Sequence, residues 1–106
     1  MAIEKRQIER VVRRIVEDFD PKLVLIFGSV AKGTDDGDSD LDLMVVMDSD
    51  QSFVMRTADV RFSIGIVDFS IDLLVYTPEE FEERRGNKYS VVYEALQTGV
   101  VAYGIA

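Results

Sequence analysis

Apolar residues recur at helical spacing near the start of the chain. Over residues 3–19 they fall every third or fourth position, which predicts a helix with one buried stripe. Asp20-Pro21 predicts its end, because the residue before proline disfavours the α conformation. The other side carries charges spaced for ion pairs one turn apart, which is typical of a solvated face, although a basic dock for RNA or an acidic partner is an alternative. These charges are Lys5, Arg6, Arg10, Arg13 and Arg14, interleaved with Glu4, Glu9 and Glu17.

Four runs carry strand signals. Residues 22–27 are almost wholly apolar, which is typical of a strand covered on both faces. Residues 40–47 alternate, so that Asp40 and Asp42 share one face with the apolar residues that follow. Residues 65–76 also alternate, with Asp72 in their central part, and the short apolar run 100–103 predicts a marginal last strand.

Further helices are predicted between and after these strands. The segment 51–64 shows no strand alternation, and residues 90–97 form a short helix ended by glycine. Thr77 as N-cap, Pro78 in the first turn and Glu80 three residues after the cap predict another helix start. The order of elements predicts one α/β domain over residues 1–106, a small mixed sheet of three to four strands packed with helices.

Composition narrows the chemistry. The 106 residues include no cysteine and no histidine, which excludes thiolate and imidazole ligands and leaves carboxylates, hydroxyls, Lys, Arg or a metal for any catalysis. The net charge of −8 argues against direct nucleic-acid binding. No apolar run approaches the roughly 18 residues of a membrane span, so we expect a cytoplasmic protein without a membrane partner.

Three aspartates predict a metal site. Asp40 and Asp42 open the second predicted strand, and Asp72 lies on another. If the sheet brings these three carboxylates together, their negative charges would repel each other unless a divalent cation neutralised them. Oxygen ligands alone favour Mg²⁺ or Mn²⁺.

The Gly28-Ser29 pair predicts a phosphate site beside the metal. Glycine lets the backbone approach a ligand closely, and Ser29 adds a hydroxyl donor. Lys32 adds a positive charge, and Gly33 adds a second permissive backbone position. A triphosphate held there, and bridged by metal to the aspartates, would be placed for in-line displacement.

These residues resemble a known signature. Gly28-Ser29, ten intervening residues and Asp40-Leu41-Asp42 are similar to the motif of the DNA polymerase beta-like nucleotidyltransferase superfamily, and the length resembles its smallest branch, the minimal nucleotidyltransferases. The resemblance extends through residues 71–74, 76–81 and 93–99. Lys32 stands where arginine is more usual in this branch. Lysine keeps the positive charge, but it cannot bind a phosphate through two N–H groups at once as a guanidinium does.

The resemblance implies an activity. It is transfer of a nucleoside monophosphate, AMP from ATP, to a hydroxyl, with Mg²⁺ or Mn²⁺ as cofactor. It implies Asp40, Asp42 and Asp72 as catalytic metal ligands. Gly28, Ser29, Lys32 and Gly33 would bind the nucleotide phosphates.

The resemblance also implies a partner. Larger members of the superfamily grip the acceptor with a further domain, for which 106 residues leave no room. Minimal nucleotidyltransferases are often paired with a small helical HEPN protein, as antitoxin to toxin, and the acceptor would then be a tyrosine of that partner. Assembly with copies of itself is also compatible with the sequence.

Two other functions stay open. The chain is alternatively a non-catalytic antitoxin-type module that neutralises a partner by occlusion. An enzyme acting on a small molecule is a weaker alternative, because no acceptor pocket can be recognised in the sequence.

Other carboxylates are weaker candidates. An EF-hand loop starting at Asp36 is disfavoured, because Leu41 stands where glycine is needed and Met47 where glutamate belongs. Asp68 would share the strand face of Asp72 but lie roughly 13 Å away, so both cannot serve one metal pair and the resemblance favours Asp72. For Asp35, Asp36 and Asp38 a solvated turn is expected.

Overall fold

The computed structural model describes residues 3–33 and 40–106. Helices and strands alternate along much of the chain, as the sequence predicts. Their order is α1 (Lys5–Phe19), β1 (Leu23–Phe27), α2 (Gly28–Lys32), β2 (Leu41–Val46), α3 (Phe53–Ile64), β3 (Ile71–Tyr76), α4 (Pro78–Arg85), α5 (Val91–Thr98) and β4 (Val100–Gly104).

The strands form one mixed sheet in the order β3-β2-β1-β4. β2 and β3 are parallel, whereas β1 is antiparallel to both β2 and β4. The predicted α/β class with a small mixed sheet is therefore confirmed. One boundary is wrong, because residues 65–70 are not part of β3 and form an irregular connection from α3. Their alternation reflects the half-burial of Val67 and Phe69, which pack against the core without joining the sheet.

The sheet separates two apolar clusters, one under α1 and α3 and the other under α4 and α5. The period-two prediction for β2 is confirmed: Leu41, Leu43 and Val45 point to the α1–α3 side, and Met44 and Val46 point to the α4–α5 side. Asp42 has the same parity as Met44, so it belongs to the α4–α5 face of the sheet. Because it stands at the start of β2, it reaches that face at the edge rather than in the centre.

The start of α4 confirms the predicted capping box. Thr77 accepts a hydrogen bond from the Glu80 backbone N–H at 3.3 Å, and the Glu80 carboxylate accepts one from the Thr77 N–H at 2.9 Å. Pro78 occupies the first turn, where its missing N–H has no helical partner to lose.

A buried arginine joins α3 to the carboxyl end of β3, which the sequence pattern did not predict. Arg56 is 3% exposed and donates to the carbonyls of Val75 (2.9 Å) and Gln51 (3.1 Å) and to the carboxylate of Glu80. The Thr77 backbone donor and the Arg56 guanidinium hold the pKa of Glu80 below its usual value, against the opposing effect of its burial. We call these contacts the α3–α4 joint.

Among the described residues no helix is long and apolar enough to cross a membrane.

Candidate active site

Asp42 and Asp72 stand directly opposite each other in neighbouring parallel strands. The β2–β3 register pairs Leu41 with Ile71 and Asp42 with Asp72, so each aspartate is the second residue of its strand. Parallel pairing makes both side chains point to the same face. The sequence placed Asp42 and Asp72 on separate strands, and the strand order supplies their contact. The two carboxyl groups share a side-chain hydrogen bond.

Gly28, directly after β1, also lies at this edge of the sheet. β1 runs antiparallel to β2 and pairs its last residue, Phe27, with Asp42, so that Gly28 follows at once beside the carboxylate. Gly28 has φ +73°, and a Cβ built on it would lie 1.9 Å from Asp42 Oδ2. A side chain here would therefore be strained by the backbone and would also occupy the position of the carboxylate. The sequence predicted close approach of Gly28 to a ligand; in the structure it approaches a protein carboxylate.

The surroundings of Asp42 disfavour its charge. Its pKa is raised from 3.8 to about 6, first by burial and then by the charge and the hydrogen bond of Asp72, with a smaller contribution from Asp40. Asp42 therefore keeps its proton to a higher pH than an ordinary aspartate does. A divalent cation between the two carboxylates would relieve the same repulsion.

Asp40 is less closely involved. It is half-buried just before β2 and contributes the last of the charges that raise the pKa of Asp42. Among residues 3–33 and 40–106, no three carboxylates are grouped closely enough to hold an ion together. The structure therefore brings Asp42 and Asp72 together, and the place of Asp40 in the ligand set stays a prediction. Asp35, Asp36 and Asp38, with the calcium loop weighed for them, lie outside the described residues.

The predicted phosphate-binding residues lie on one short segment. Gly28, Ser29 and Lys32 belong to α2, and Gly33 ends it with φ +74°. Ser29 is half-buried, whereas Lys32 is exposed in the last turn. Because α2 begins at Gly28, beside the Asp42 carboxylate, the start of the predicted phosphate-binding segment lies next to the carboxylate pair. Their binding role stays a prediction.

Asp68 lies apart from the pair. It belongs to the irregular connection rather than to β3, so the expectation that it shares a strand face with Asp72 is wrong. It is exposed and accepts a hydrogen bond from Gln7 Nε2 at 3.1 Å, which ties the connection to the start of α1.

The donor set fits a divalent cation. Mg²⁺ in proteins is usually held by one or two carboxylates, with water and substrate phosphates completing its coordination. Asp42 and Asp72 provide two carboxylates whose mutual repulsion a cation would remove, at an edge that Gly28 keeps open to Asp42.

The fold is similar to that of a solved structure. A crystal structure from Sulfolobus solfataricus, of a protein provisionally assigned as a nucleotidyltransferase, superposes with a TM-score of 0.65 at 19% sequence identity. The similarity covers 93% of this chain and 78% of the other. At this identity the match shows a common fold. No protein of curated function matches the chain by sequence.

The family follows from the sequence itself. The profile of the nucleotidyltransferase domain family matches residues 6–69, which is more than half of the chain. The chain therefore belongs to the nucleotidyltransferase domain family and is a transferase of nucleotidyl groups. The match contains Gly28, Asp40 and Asp42 and ends three residues before Asp72, whose place in the site is shown by the strand pairing alone.

Proposed function

We propose that this protein transfers a nucleoside monophosphate, AMP from ATP, to a hydroxyl group of a partner protein. The observation that carries the proposal is the pairing of Asp42 with Asp72 beside Gly28. Nucleotidyltransferase domains typically use a nucleoside triphosphate and a divalent metal, and a carboxylate pair that gains from a cation suits that chemistry.

Asp42 and Asp72, with Asp40 as the predicted third ligand, would hold Mg²⁺ or Mn²⁺. The metal when bound would neutralise the phosphate charge. Gly28 and Ser29 would hold the outer phosphates through backbone N–H groups and the Ser29 hydroxyl, with Lys32 and Gly33 beside them. These groups fix the nucleotide in one orientation, which is most of what a phosphoryl-type transfer requires from a protein.

The acceptor hydroxyl would form a bond to the α-phosphorus while the bond to the bridging oxygen of pyrophosphate breaks. Asp72 lies near the start of β3, which is an edge strand of the sheet, and its side chain is exposed. It is therefore accessible to an acceptor that approaches from solvent. A carboxylate there can also accept the proton that leaves the hydroxyl.

The acceptor is proposed to be carried by a small helical protein of the HEPN type. We infer this from the resemblance to minimal nucleotidyltransferases. Occlusion of that partner without chemistry is the competing function. The carboxylate pair favours transfer, because occlusion has no need for two aspartates in register on neighbouring strands, with the pKa of Asp42 raised.

The test is incorporation of labelled AMP from α-labelled ATP, with Mg²⁺ present, into the protein encoded by the neighbouring gene and co-expressed with this chain. Wild type should label the partner, and Asp42→Asn and Asp72→Asn should each lower labelling by at least about a hundredfold. Asp68→Asn is the matched control and should label normally, because Asp68 lies outside the pair. Neutralisation of the partner by Asp42→Asn and Asp72→Asn at wild-type strength would instead support occlusion.

A further inference from the structure

The ion pairs that the sequence allows on the outward side of α1 do not form among the described residues. The sequence allows pairs one turn apart between its arginines and glutamates, but the described residues contain no such pair there. Arg6 pairs with Glu4 at 3.3 Å, two residues before it. Arg10 and Arg13 are exposed and make no ion pair within the described residues, so no described carboxylate neutralises their charges.

A cleft of about 540 Å³ lies between this side of α1 and the end of α3. One wall is a row of charged residues at helical spacing, Arg10, Arg13 and Arg14. The other wall is apolar, formed by Ile64, Ile66 and Val67. We call this feature the α1–α3 cleft. Glu17 also lines it and leaves the row with a net positive charge.

The cleft is built from contacts that hold its walls in place. Arg14 Nε donates to the Ser63 carbonyl at 3.0 Å, and the Ser63 hydroxyl donates to Asp18. Gln7 donates to Asp68 at the far side of the connection. These contacts join α1 to α3 and to the connection, so a ligand would meet a preformed surface.

We propose that the α1–α3 cleft docks an acidic amphipathic helix of a protein partner. The arginine row extends about 6 Å along α1, from one turn to the next, which matches carboxylates spaced one turn apart on a second helix. The apolar wall would cover the apolar stripe of such a helix. Ile66 is fully exposed, so it has no other cover among the described residues.

Charge and composition favour protein over nucleic acid. Among the described residues that line the cleft there is no aromatic side chain on which a base could stack, and Glu17 is one of them. The net charge of −8 also repels a polyanion at a distance, whereas a short acidic helix meets mainly the local arginines.

The position of the cleft connects docking to the candidate active site. Residues 65–67 form its wall, and the same connection leads directly into β3, whose second residue is Asp72. This proposal rests on the proposed function in one respect: the docked helix would belong to the protein that carries the acceptor hydroxyl. A helix held there would lie on the α1–α3 side of the sheet, beside the connection that leads to the start of β3.

The test uses a synthetic helical peptide of about 18 residues, long enough to be partly helical, with a leucine stripe flanked by glutamates and no hydroxyl side chain. It is titrated into ¹⁵N-labelled protein and followed by NMR. Amide shifts should change along α1 and over residues 64–67. A peptide with lysine in place of glutamate should not bind.

The variant Arg10→Glu/Arg13→Glu should weaken binding roughly tenfold or more, because repulsion replaces attraction at two positions. Arg85→Glu/Lys88→Glu changes the net charge by the same amount in and after α4 and should bind like wild type. Ile66→Ser should also weaken binding, and unchanged melting temperatures would show that the variants fold. Equal weakening by both charge variants, or shifts confined to another surface, would overturn the proposal.

Two other occupants are decided by the same variants. Single-stranded RNA that shifts the cleft amides, when the acidic peptide does not, would overturn the proposal in favour of nucleic acid. A wild-type dimer that becomes monomeric in Arg10→Glu/Arg13→Glu would identify a second copy as the occupant and also overturn it. Asp42→Asn should bind the peptide normally, so that docking and AMP transfer can fail independently.

Discussion

At the scale of single residues, the carboxylate pair is costly to the folded chain. Asp42 and Asp72 face each other at short range, and Asp42 is half-buried with a raised pKa. Stability alone does not favour two like charges in register on neighbouring strands. Two aspartates kept at a cost to stability are therefore candidates for a functional role.

Replacing Asp42 by asparagine should therefore stabilise the metal-free protein at pH 7 by on the order of 1 kcal/mol, a figure kept small because water screens a half-buried carboxylate. The pKa is higher in the folded chain, at about 6, than its ordinary 3.8, so the folded state binds this proton more tightly. As pH falls from 7 through 6, wild type gains stability from this group and the advantage of Asp42→Asn shrinks. Urea unfolding at pH 7 and pH 5 measures both values.

Asp68→Asn is the control for that experiment and should show no such pH-dependent difference from wild type. A loss of stability in Asp42→Asn at pH 7 would contradict the argument.

Gly28→Ala should abolish transfer while leaving most of the protein folded. The new Cβ would lie 1.9 Å from Asp42 Oδ2 and would displace that carboxylate. Gly65→Ala is a matched control, because Gly65 has a similar positive φ, +79°, with nothing within 4 Å of the built Cβ, and has no assigned part in nucleotide binding. Both variants should lose about 1 kcal/mol of unfolding free energy from the backbone conformation. Labelled-AMP transfer should separate them, and equal activity would show that the close approach is unimportant.

At the scale of secondary-structure elements, the α3–α4 joint holds two helices to the end of β3. Arg56 supplies every donor of the joint except the Thr77 backbone, and it is almost fully buried. Removing it leaves a carboxylate and two carbonyls without that partner.

Arg56→Met should therefore lower the unfolding free energy by about 3 kcal/mol, as expected when one partner of a buried ion pair is lost. Arg85→Met removes a more exposed pair, with Glu82 at 2.8 Å, and should cost less than about 1 kcal/mol. Urea unfolding of both variants gives the comparison. Similar losses would mean that the joint contributes no more than a surface pair.

The elements also show how far the sequence alone could reach. The alternation in β2 correctly assigned Asp42 and Met44 to one face, and Thr77 with Glu80 correctly predicted the start of α4, because both depend on local spacing. The contact of Asp42 with Asp72 depends on strand order and register, which local spacing does not determine. Arg56 was missed for a related reason: two of its three acceptors lie on Val75 and Glu80, about twenty residues away.

At the scale of the whole molecule, charge dominates the response to salt. The chain has 20 acidic and 12 basic residues, so added salt should stabilise it by screening self-repulsion. A divalent cation should do more than this if Asp42 and Asp72 bind it.

We expect Mg²⁺ at millimolar concentration to raise the melting temperature above that in NaCl of equal ionic strength, by a few degrees for a domain of this size. Asp42→Asn should respond to both salts alike, and Asp68→Asn should behave like wild type. Thermal unfolding in the two salts measures the difference. An equal response of wild type to Mg²⁺ and NaCl would argue against a metal held by this pair.

The α3–α4 joint lies at the carboxyl end of β3, and the carboxylate pair lies at its amino end. The buried Arg56 guanidinium thus holds the carboxyl end of β3 in place, whereas at the amino end the carboxylates of Asp42 and Asp72 repel each other. Local opening should begin at the repelling end and stop at the clamped one. Among the β3 amides that face β2, hydrogen exchange should therefore slow progressively from Asp72 through Leu74 to Tyr76. The candidate active-site edge would then be free to adjust while the sheet behind it stays closed.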